Sequence, residues 1–242
     1  MSTTAGILII GNEILSGKVQ DANSPYLCRE LRALGVEVKR VSAIPDEVDT
    51  IAAESAAFSA AYDLVMTTGG VGPTHDDVTV EGIAKGLSRR VVVHPDLERV
   101  IHKLYPGKVN SARLRLTQVP EGAELLGQPD LVFPVVRIRN IYIFPGVPEI
   151  LRQKFNSIKE RFRDAPFFLK AVFVTDGEGA IAEHLNTVMR EYPALLLGSY
   201  PELNHPDYRV KLTLESKDPA YLDKALKLLV SSLPASSIAK VE

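Results

Sequence analysis

The sequence has little cysteine, no long apolar run and almost no net charge, and each absence excludes a class of protein. Its single cysteine, Cys28, excludes an internal disulfide framework and suits a reducing compartment. A formal net charge of −2 gives no reason to expect a nucleic-acid partner. The apolar run near the start stops at Gly11, too early for a signal peptide or a membrane span. We therefore expect a cytoplasmic protein that does not use a membrane.

Motifs with strict spacing are also missing. The chain shows no Ser-His-Asp order and no Cys/His spacing typical of a metal site. Its glycine-rich stretches match neither the dinucleotide-binding fingerprint nor the P-loop. Any catalytic chemistry must therefore come from residues that the fold brings together.

What the sequence does have is a regular alternation of elements. From residue 6 to residue 87, short apolar runs typical of buried strands alternate with helical patterns, the third of which has Thr79 as its expected N-cap. This order predicts an α/β fold with a mostly parallel sheet covered by helices on both faces. In such sheets, ligands bind beyond the carboxyl ends of the strands.

A second, smaller domain is predicted after Ala165 and Pro166. The pattern there is strand, helix, strand, strand, helix, which is typical of a small α+β domain. We therefore expect two domains, residues 1–165 and residues 166–242.

The stretch TTGGVGPTHDD follows a predicted buried strand and raises a chemical question. Gly69, Gly70 and Gly72 would let backbone N–H groups approach an anion such as phosphate. Asp76 and Asp77 would repel that phosphate unless a divalent cation, Mg²⁺ above all, lay between them. The alternative is a tight turn in which the aspartates cap a helix.

Three other stretches end predicted strands at the same sheet edge. GNEILSG contains Glu13, which could bind a metal or simply be a solvated loop residue. IPDE contains Asp46, a candidate acid whose alternative role is that of a helix N-cap. FPGVPE, with Pro145 and Gly146, would be stiff, although alone it predicts only a turn.

In the second domain, GSYPELNHPDY lies between two predicted strands. Tyr200 could stack on a ligand ring. His205 could contact a ring or bind a metal, but a histidine before a proline in a loop is more typically solvated.

Taken together and in this order, GNEILSG, IPDE, TTGGVGPTHDDVT and FPGVPE resemble the MoCF, or molybdopterin-binding, domain family over roughly residues 5–165. The aspartate pair, NSARLRLTQVPEGAELL and the small second domain resemble its CinA-type branch and the related domain of eukaryotic FAD synthases, rather than the MogA/MoaB adenylyltransferases. The resemblance implies a three-layer α/β/α fold and an assembly of two or three copies.

The resemblance also implies an activity. In the adenylyltransferase branch, acids that match Asp46 and Asp77 are thought to hold a metal and to act in transferring AMP to molybdopterin. In the CinA-type branch and its FAD-synthase relatives, the implied reaction is metal-dependent hydrolysis of a diphosphate linkage in ADP-ribose or FAD.

Our leading hypothesis is therefore a nucleotide pyrophosphatase that uses Mg²⁺, with Mn²⁺ or Co²⁺ as other candidates. The expected catalytic residues are Asp77, Asp46 and Glu13, and the expected metal ligands are Asp76 and Asp77. The expected substrate-binding residues are Gly11, Asn12, Thr68, Gly69, Gly70, Gly72, Thr74, Pro145, Gly146 and Tyr200. The alternatives are a protein that binds or adenylylates molybdopterin, and a non-catalytic domain used for assembly.

Overall fold

Alternating strands and helices build the first part of the chain, as the sequence predicts. The computed structural model of the protein describes residues 2–127 and 133–242. The chain divides into two units, Met1–Asp164 and Ala165–Glu242. None of the helices in the described ranges combines the length and the apolar character that a membrane crossing needs.

The strands of the first unit are β1 (Thr4–Ile10), β2 (Glu37–Ile44), β3 (Leu64–Thr68), β4 (Val91–Val93), β5 (Gln118–Pro120), β6 (Glu124–Leu126), β7 (Val135–Ile138) and β8 (Ile141–Phe144). Its helices are α1 (Asn12–Leu15), α2 (Asn23–Ala33), α3 (Val48–Ala61), α4 (Thr79–Gly86), α5 (Pro95–Leu104), α6 (Ser111–Arg115) and α7 (Pro148–Ile158).

Six of these strands form one sheet in the order β2-β1-β3-β8-β7-β6. The pairs β1–β2, β1–β3 and β3–β8 are parallel, whereas β7 pairs antiparallel with β8 and with β6. The sheet is therefore mostly parallel, which confirms the predicted fold class. Strands β4 and β5 form a separate antiparallel pair.

Side chains of β1 show why the fold has three layers. Ile7 and Ile9 point into a core that also contains buried residues of α2 and α7. Leu8 and Ile10 point into a second core that contains buried residues of α3 and α4. A strand whose side chains are buried on both faces is typical of a parallel sheet covered by helices. Cys28, the single cysteine, is partly buried against the first of these cores.

The start of α4 differs from the prediction. Val78 occupies the N-cap position and Thr79 is the first helical residue, so Thr79 does not cap the helix. Its Oγ1 instead donates a hydrogen bond of 2.9 Å to the carbonyl oxygen of Gly69. This hydrogen bond connects the start of α4 to the glycine-rich loop.

The second unit contains β9 (Phe168–Val174), α8 (Glu178–Glu191), β10 (Leu196–Pro201), β11 (Val210–Ser216), α9 (Pro219–Ser232) and β12 (Ile238–Val241). Its antiparallel sheet has the order β10-β11-β9-β12, and buried residues of α8 and α9 share one core with it. The predicted small α+β domain is thus confirmed, except that the sequence does not predict β12. That strand is short and mixed in polarity, and it forms by pairing with β9, which is distant in sequence.

Candidate functional site at the carboxyl edge of the sheet

Four loops meet where the parallel strands β2, β1, β3 and β8 end. The N–H of Gly11 donates to the carbonyl oxygen of Ile44 at 3.1 Å, which joins the loops after β1 and β2. The N–H of Gly69 donates to the carbonyl oxygen of Phe144 at 3.2 Å, which joins the loops after β3 and β8. The four stretches singled out in the sequence therefore lie together at one edge, as expected from parallel strands.

Gly69 and Gly70 are required by the backbone of the glycine-rich loop. Both have positive φ, +103° and +61° respectively, which favours glycine. A Cβ on Gly69 would lie 2.0 Å from the carbonyl oxygen of Ile10, and one on Gly70 would lie 2.3 Å from Oγ1 of Thr79. The loop thus turns within contact distance of β1 and α4, where no side chain fits.

The carboxylate of Asp77 is directed back into this loop. Its Oδ1 accepts a hydrogen bond from the N–H of Gly72 at 2.6 Å. Its Oδ2 accepts from the N–H of Thr74 at 2.7 Å and from the Thr74 hydroxyl at 2.5 Å. Asp77 therefore does not cap a helix, and it organises the turn that precedes it.

These bonds change which N–H groups can meet an anion. The N–H of Gly72 donates to Asp77, and that of Gly69 donates to Phe144. Among the described residues, no protein acceptor binds the N–H of Gly70 or of Val71. Anion binding at this loop stays a prediction, and of the loop from Gly69 to Gly72 the N–H groups of Gly70 and Val71 are the ones left for an anion.

Asp46 has a different environment from Asp77. Glu47, not Asp46, occupies the N-cap position of α3. The carboxylate of Asp46 instead accepts a hydrogen bond of 2.7 Å from the N–H of Asn12. The pKa of Asp46 is raised by partial burial and by the negative charges of Glu13, Asp76 and Asp77, against the lowering effect of that hydrogen bond.

The acids around Asp46 thus form an electrostatically coupled group. Asp76 is exposed, with 62% of its side chain accessible, and the neighbouring Thr74 hydroxyl lowers its pKa. Glu13 lies on α1, and a Cβ on Gly11 would be 2.6 Å from its Oε1. The predicted acids Glu13, Asp46, Asp76 and Asp77 are therefore brought to one place.

This donor set fits a cation held jointly with a ligand. Within residues 2–127 and 133–242, no group of three or more His, Cys, Asp or Glu side chains is placed to hold a metal by itself. Mg²⁺ in nucleotide enzymes is usually bound by one or two carboxylates plus phosphates and water. Burial raises the pKa of Asp46 most, and the negative charges of Glu13, Asp76 and Asp77 raise it further; a nearby cation would oppose the effect of those charges.

A cavity of about 800 Å³ opens beside the acids, within the size range of small-molecule sites. Glu13, Asp77 and the loop from Gly69 to Gly72 line one part of it, and Pro145 and Gly146 line another. Much of the remaining wall is apolar and comes from elements that the sequence did not connect with the site.

Two cationic residues in the cavity wall were missed by the sequence reasoning. Arg115, at the end of α6, donates from Nη2 to the carbonyl oxygen of Asp77 at 3.0 Å. Lys154, on α7, donates from Nζ to the carbonyl oxygen of Pro134 at 3.0 Å, and burial lowers its pKa to about 8. Arg115 lies within NSARLRLTQVPEGAELL, but nothing in that stretch indicates which of its arginines reaches the site.

Asn23, at the start of α2, was also missed. It is buried, and its Nδ2 donates to Oγ1 of Thr68 and to the carbonyl oxygen of Gly146, both at 2.8 Å. The Thr68 hydroxyl in turn donates to the carbonyl oxygen of Pro145 at 3.0 Å. Thr68 is therefore buried structural support, and Asn23 joins the loop after β3 to the loop after β8.

The other predicted binding residues, Asn12, Thr74 and Tyr200, do not share one environment. The backbone N–H of Asn12 donates a hydrogen bond to Asp46, and Asn12 itself is exposed. Thr74 bonds to Asp77. Tyr200 lies on β10 in the second unit with 53% of its surface exposed, and its predicted contact with a ligand ring stays a prediction.

Comparison with known proteins identifies relatives of both parts of the chain. Residues 6–164 match the family described as "Probable molybdopterin binding domain". The chain belongs to the molybdopterin-binding domain family. Residues 166–242 match the "FAD synthase, middle domain", so both parts of the chain have relatives.

Proteins with similar sequences come from different organisms. A protein from Archaeoglobus fulgidus is 36% identical over 91% of this chain and 94% of its own length. A "Probable FAD synthase" from Caenorhabditis elegans is 30% identical over 95% of this chain. The match covers 49% of that worm protein, so the chain spans about half of its length.

A solved structure extends the comparison to the fold. The CinA protein from Thermoplasma acidophilum, whose function is given as unknown, superposes with a TM-score of 0.61 at 27% identity. The superposition covers 67% of this chain and 100% of that one. The chain is thus a CinA-type member of the molybdopterin-binding domain family.

Proposed function

We propose that the protein hydrolyses the diphosphate linkage of a nucleotide such as ADP-ribose or FAD, with a divalent cation as cofactor. The observation that carries the proposal is the group of acids coupled to Asp46, two of which, Glu13 and Asp77, line one cavity together with the glycine-rich loop and Arg115. The relatives named FAD synthases support the same class of ligand, because that name concerns a dinucleotide with a diphosphate bridge.

The cation, Mg²⁺ first among candidates, would be held by Asp76 together with the phosphates, with Asp46 nearby but not bound to it. When bound, it would neutralise phosphate charge and make a coordinated water more acidic. Asp77 is a poorer ligand than the sequence predicts, because both of its oxygens already accept hydrogen bonds. Its role in metal binding stays a prediction.

Residues of the protein would bind the phosphates, stabilise charge and accept the proton of the attacking water. The N–H groups of Gly70 and Val71 would bind phosphate oxygens, and the Arg115 guanidinium would stabilise the negative charge that builds up during attack. Asp46 has the raised pKa that suits a group accepting a proton from water. Glu13, at the same edge, would position that water.

The test is release of AMP from ADP-ribose and from FAD by purified protein with Mg²⁺, Mn²⁺ or Co²⁺. We expect metal-dependent turnover that Asp46→Asn reduces by at least about 100-fold, the lower end of the contribution of a general base. Asp223→Asn, which alters an exposed aspartate on α9, is the matched control and should leave turnover unchanged. If no cation supports AMP release from either nucleotide, the proposal fails.

The second candidate is binding or adenylylation of molybdopterin. It is favoured by one observation, the match of residues 6–164 to a molybdopterin-binding domain. A pterin that copurifies with the protein and fluoresces, or transfer of AMP from ATP to a pterin phosphate, would support it. Turnover of ADP-ribose without either of these would count against it.

A further inference from the structure

The amine of Lys154 lies at the carboxyl edge of the sheet. Its Nζ donates a hydrogen bond to the carbonyl oxygen of Pro134, the residue before β7. Strand β7 runs antiparallel to β8, with Val136 opposite Ile143. Two residues further along this register, Pro134 comes near Pro145, which follows the end of β8. The amine is therefore held at the edge where the parallel strands end.

This position is beside the glycine-rich loop. Gly146 comes directly after Pro145, and a Cβ on Gly146 would lie 3.5 Å from the Cα of Gly69. Lys154, Gly146 and Gly69 line the same cavity. Lys154 therefore belongs to the site at the loop rather than to a separate one.

Helix α7 presents Lys154 on the face that lines the cavity. Val147 at the N-cap, Ile150 and Lys154 follow one another at intervals of three and four residues, and all three line the cavity. The N-terminal end of the helix is thus also at the cavity, and such an end favours negative charge. The helix and its lysine favour the same kind of ligand, an anion.

The amine has unused donors and an unfavourable charge. An ammonium group has three N–H donors, and among the described residues only the Pro134 carbonyl accepts one of them. Burial lowers the pKa of Lys154 to about 8, which shows that its surroundings disfavour the charged form. An opposite charge within about 4–6 Å would favour that form again. A hydrogen bond from an ammonium group to an anion is also stronger than one between neutral groups.

The charged side chains around Lys154 do not supply this partner. Burial is the cause of its lowered pKa, so no acid in the described part of the chain compensates for the lost hydration of the ammonium group. On α7 itself, Glu149 and Arg152 are exposed. The charged residues that line the cavity with Lys154 are Glu13, Asp77, Glu81 and Arg115.

We propose that the ammonium group of Lys154 binds an oxygen of the diphosphate bridge of the substrate. The inference rests on the proposed function, since it takes the ligand to be a nucleotide with such a bridge, and it holds for ADP-ribose and FAD alike. It adds a second side-chain cation to Arg115 in the site. Binding must also take up a proton, because an amine that is partly neutral in the free protein becomes charged in the complex.

The experiment is calorimetric titration of the full chain, in Mg²⁺, with a methylene analogue of ADP-ribose, in which a CH₂ group replaces the bridging oxygen and prevents hydrolysis. Lys154→Met keeps the length of the side chain and removes the amine. It should weaken binding of the analogue by about 10-fold or more, as for a lost hydrogen bond from a charged donor. Adenosine, which has no phosphate, should bind equally to both proteins. The matched control is Lys103→Met, which alters an exposed lysine in the last turn of α5 and should change neither affinity.

A second measurement needs no variant to fold. Titrations of the wild type in buffers with different enthalpies of ionisation report the protons taken up with the analogue, which does not itself titrate near neutral pH. At about pH 6.5 the amine is already charged, so uptake through it should be close to zero. At about pH 8, uptake should reach about half a proton per ligand, because the pKa of Lys154 is about 8. Lys154→Met should lose this half proton, and Lys103→Met should keep it.

Three results would overturn the proposal. The first is wild-type binding of the analogue without proton uptake at both pH values. The second is a Lys154→Met variant that binds the analogue as tightly as the wild type does. The third is an equal loss of affinity for the analogue and for adenosine, because the amine would then only maintain the shape of the cavity.

Because the analogue is not hydrolysed, the two proposals can fail separately. A protein that releases no AMP from ADP-ribose or FAD, yet takes up a proton at Lys154 with the analogue, would refute the pyrophosphatase and keep the phosphate contact. A protein that releases AMP, with a Lys154→Met variant that binds the analogue as the wild type does, would do the reverse.

Discussion

Replacing Asp77 and Asp46 by asparagine, one at a time, should change the stability of the protein in opposite directions. In Asp77 both carboxylate oxygens accept hydrogen bonds, one from Gly72 and the other from Thr74. Asp46 accepts one hydrogen bond, from Asn12, which lowers its pKa. Burial and three neighbouring negative charges outweigh that effect, so the pKa of Asp46 is raised. The same chemical change therefore removes needed acceptors in one case and unfavourable charge in the other.

The expected loss for Asp77→Asn follows from its donors. Asparagine keeps one carbonyl oxygen and turns an NH₂ group toward either the Gly72 N–H or the Thr74 donors. At least one donor then loses its acceptor, which costs about 1–3 kcal/mol. Because the loop is partly exposed, we expect a loss of about 1–2 kcal/mol in the free energy of unfolding, which lowers the Tm of a unit of this size by roughly 2–8 °C.

For Asp46→Asn, the amide oxygen can still accept the Asn12 N–H, and the charge is gone. We expect a Tm equal to or above that of the wild type near neutral pH. The gain should disappear as the pH falls through the raised pKa of Asp46, because the wild-type carboxyl group is then also neutral. Both variants should lose nucleotide turnover.

The assay is thermal unfolding followed by circular dichroism, in EDTA so that no cation compensates the acids. Asp223→Asn, on the surface of the second unit, serves as the control for a lost exposed carboxylate. A Tm that falls equally in Asp46→Asn and Asp77→Asn would refute the reasoning, because Asp46 would then be as structural as Asp77. An unchanged Tm for Asp77→Asn would refute the loop geometry itself.

Three further predictions concern other residues of the site. Burial lowers the pKa of Lys154 to about 8, so above that pH the unfolded chain binds more protons than the folded chain. The free energy of unfolding of the wild type, measured in urea relative to Lys154→Met, should therefore rise by about 2 kcal/mol between about pH 7 and about pH 9.5. Asn23→Ala should lower the free energy of unfolding by about 1–3 kcal/mol in urea, because two acceptors lose the buried amide that joins them. Gly69→Ala should abolish the fold seen by circular dichroism, since its Cβ would overlap the Ile10 carbonyl, whereas Gly17→Ala, also at positive φ but with open space, should cost only about 1 kcal/mol.

Much of the first unit could be predicted from the sequence because its signals are local. The apolar runs of β1 and β3 identify strands, and Gly69 and Gly70, which follow β3, form a turn with positive φ. Since parallel strands end at one edge, the meeting of Glu13, Asp46 and Asp77 followed from element order alone.

What the sequence could not show depends on contacts between distant segments. Nothing in THDD indicates that Asp77 turns back to Gly72 while Asp76 faces solvent, because that depends on the conformation of the whole loop. Arg115 lies on α6 and Lys154 on α7, and the spacing of residues in the sequence does not predict where these helices lie relative to the sheet. Both come to the cavity only because α6 and α7 pack beside the sheet edge.

The two kinds of acid at this edge explain why the glycine-rich loop carries an aspartate pair. Asp77 is satisfied within the loop, so it maintains the turn whether or not a ligand is present. Asp46 is not stabilised in this way, and its raised pKa shows that its charge is unfavourable in the protein alone. A cation with its phosphates would remove that penalty, so ligand binding itself would stabilise the first unit. Wild-type protein should therefore gain more in Tm from Mg²⁺ plus nucleotide than Asp46→Asn does, and equal gains would show that the cation does not relieve the charge of Asp46.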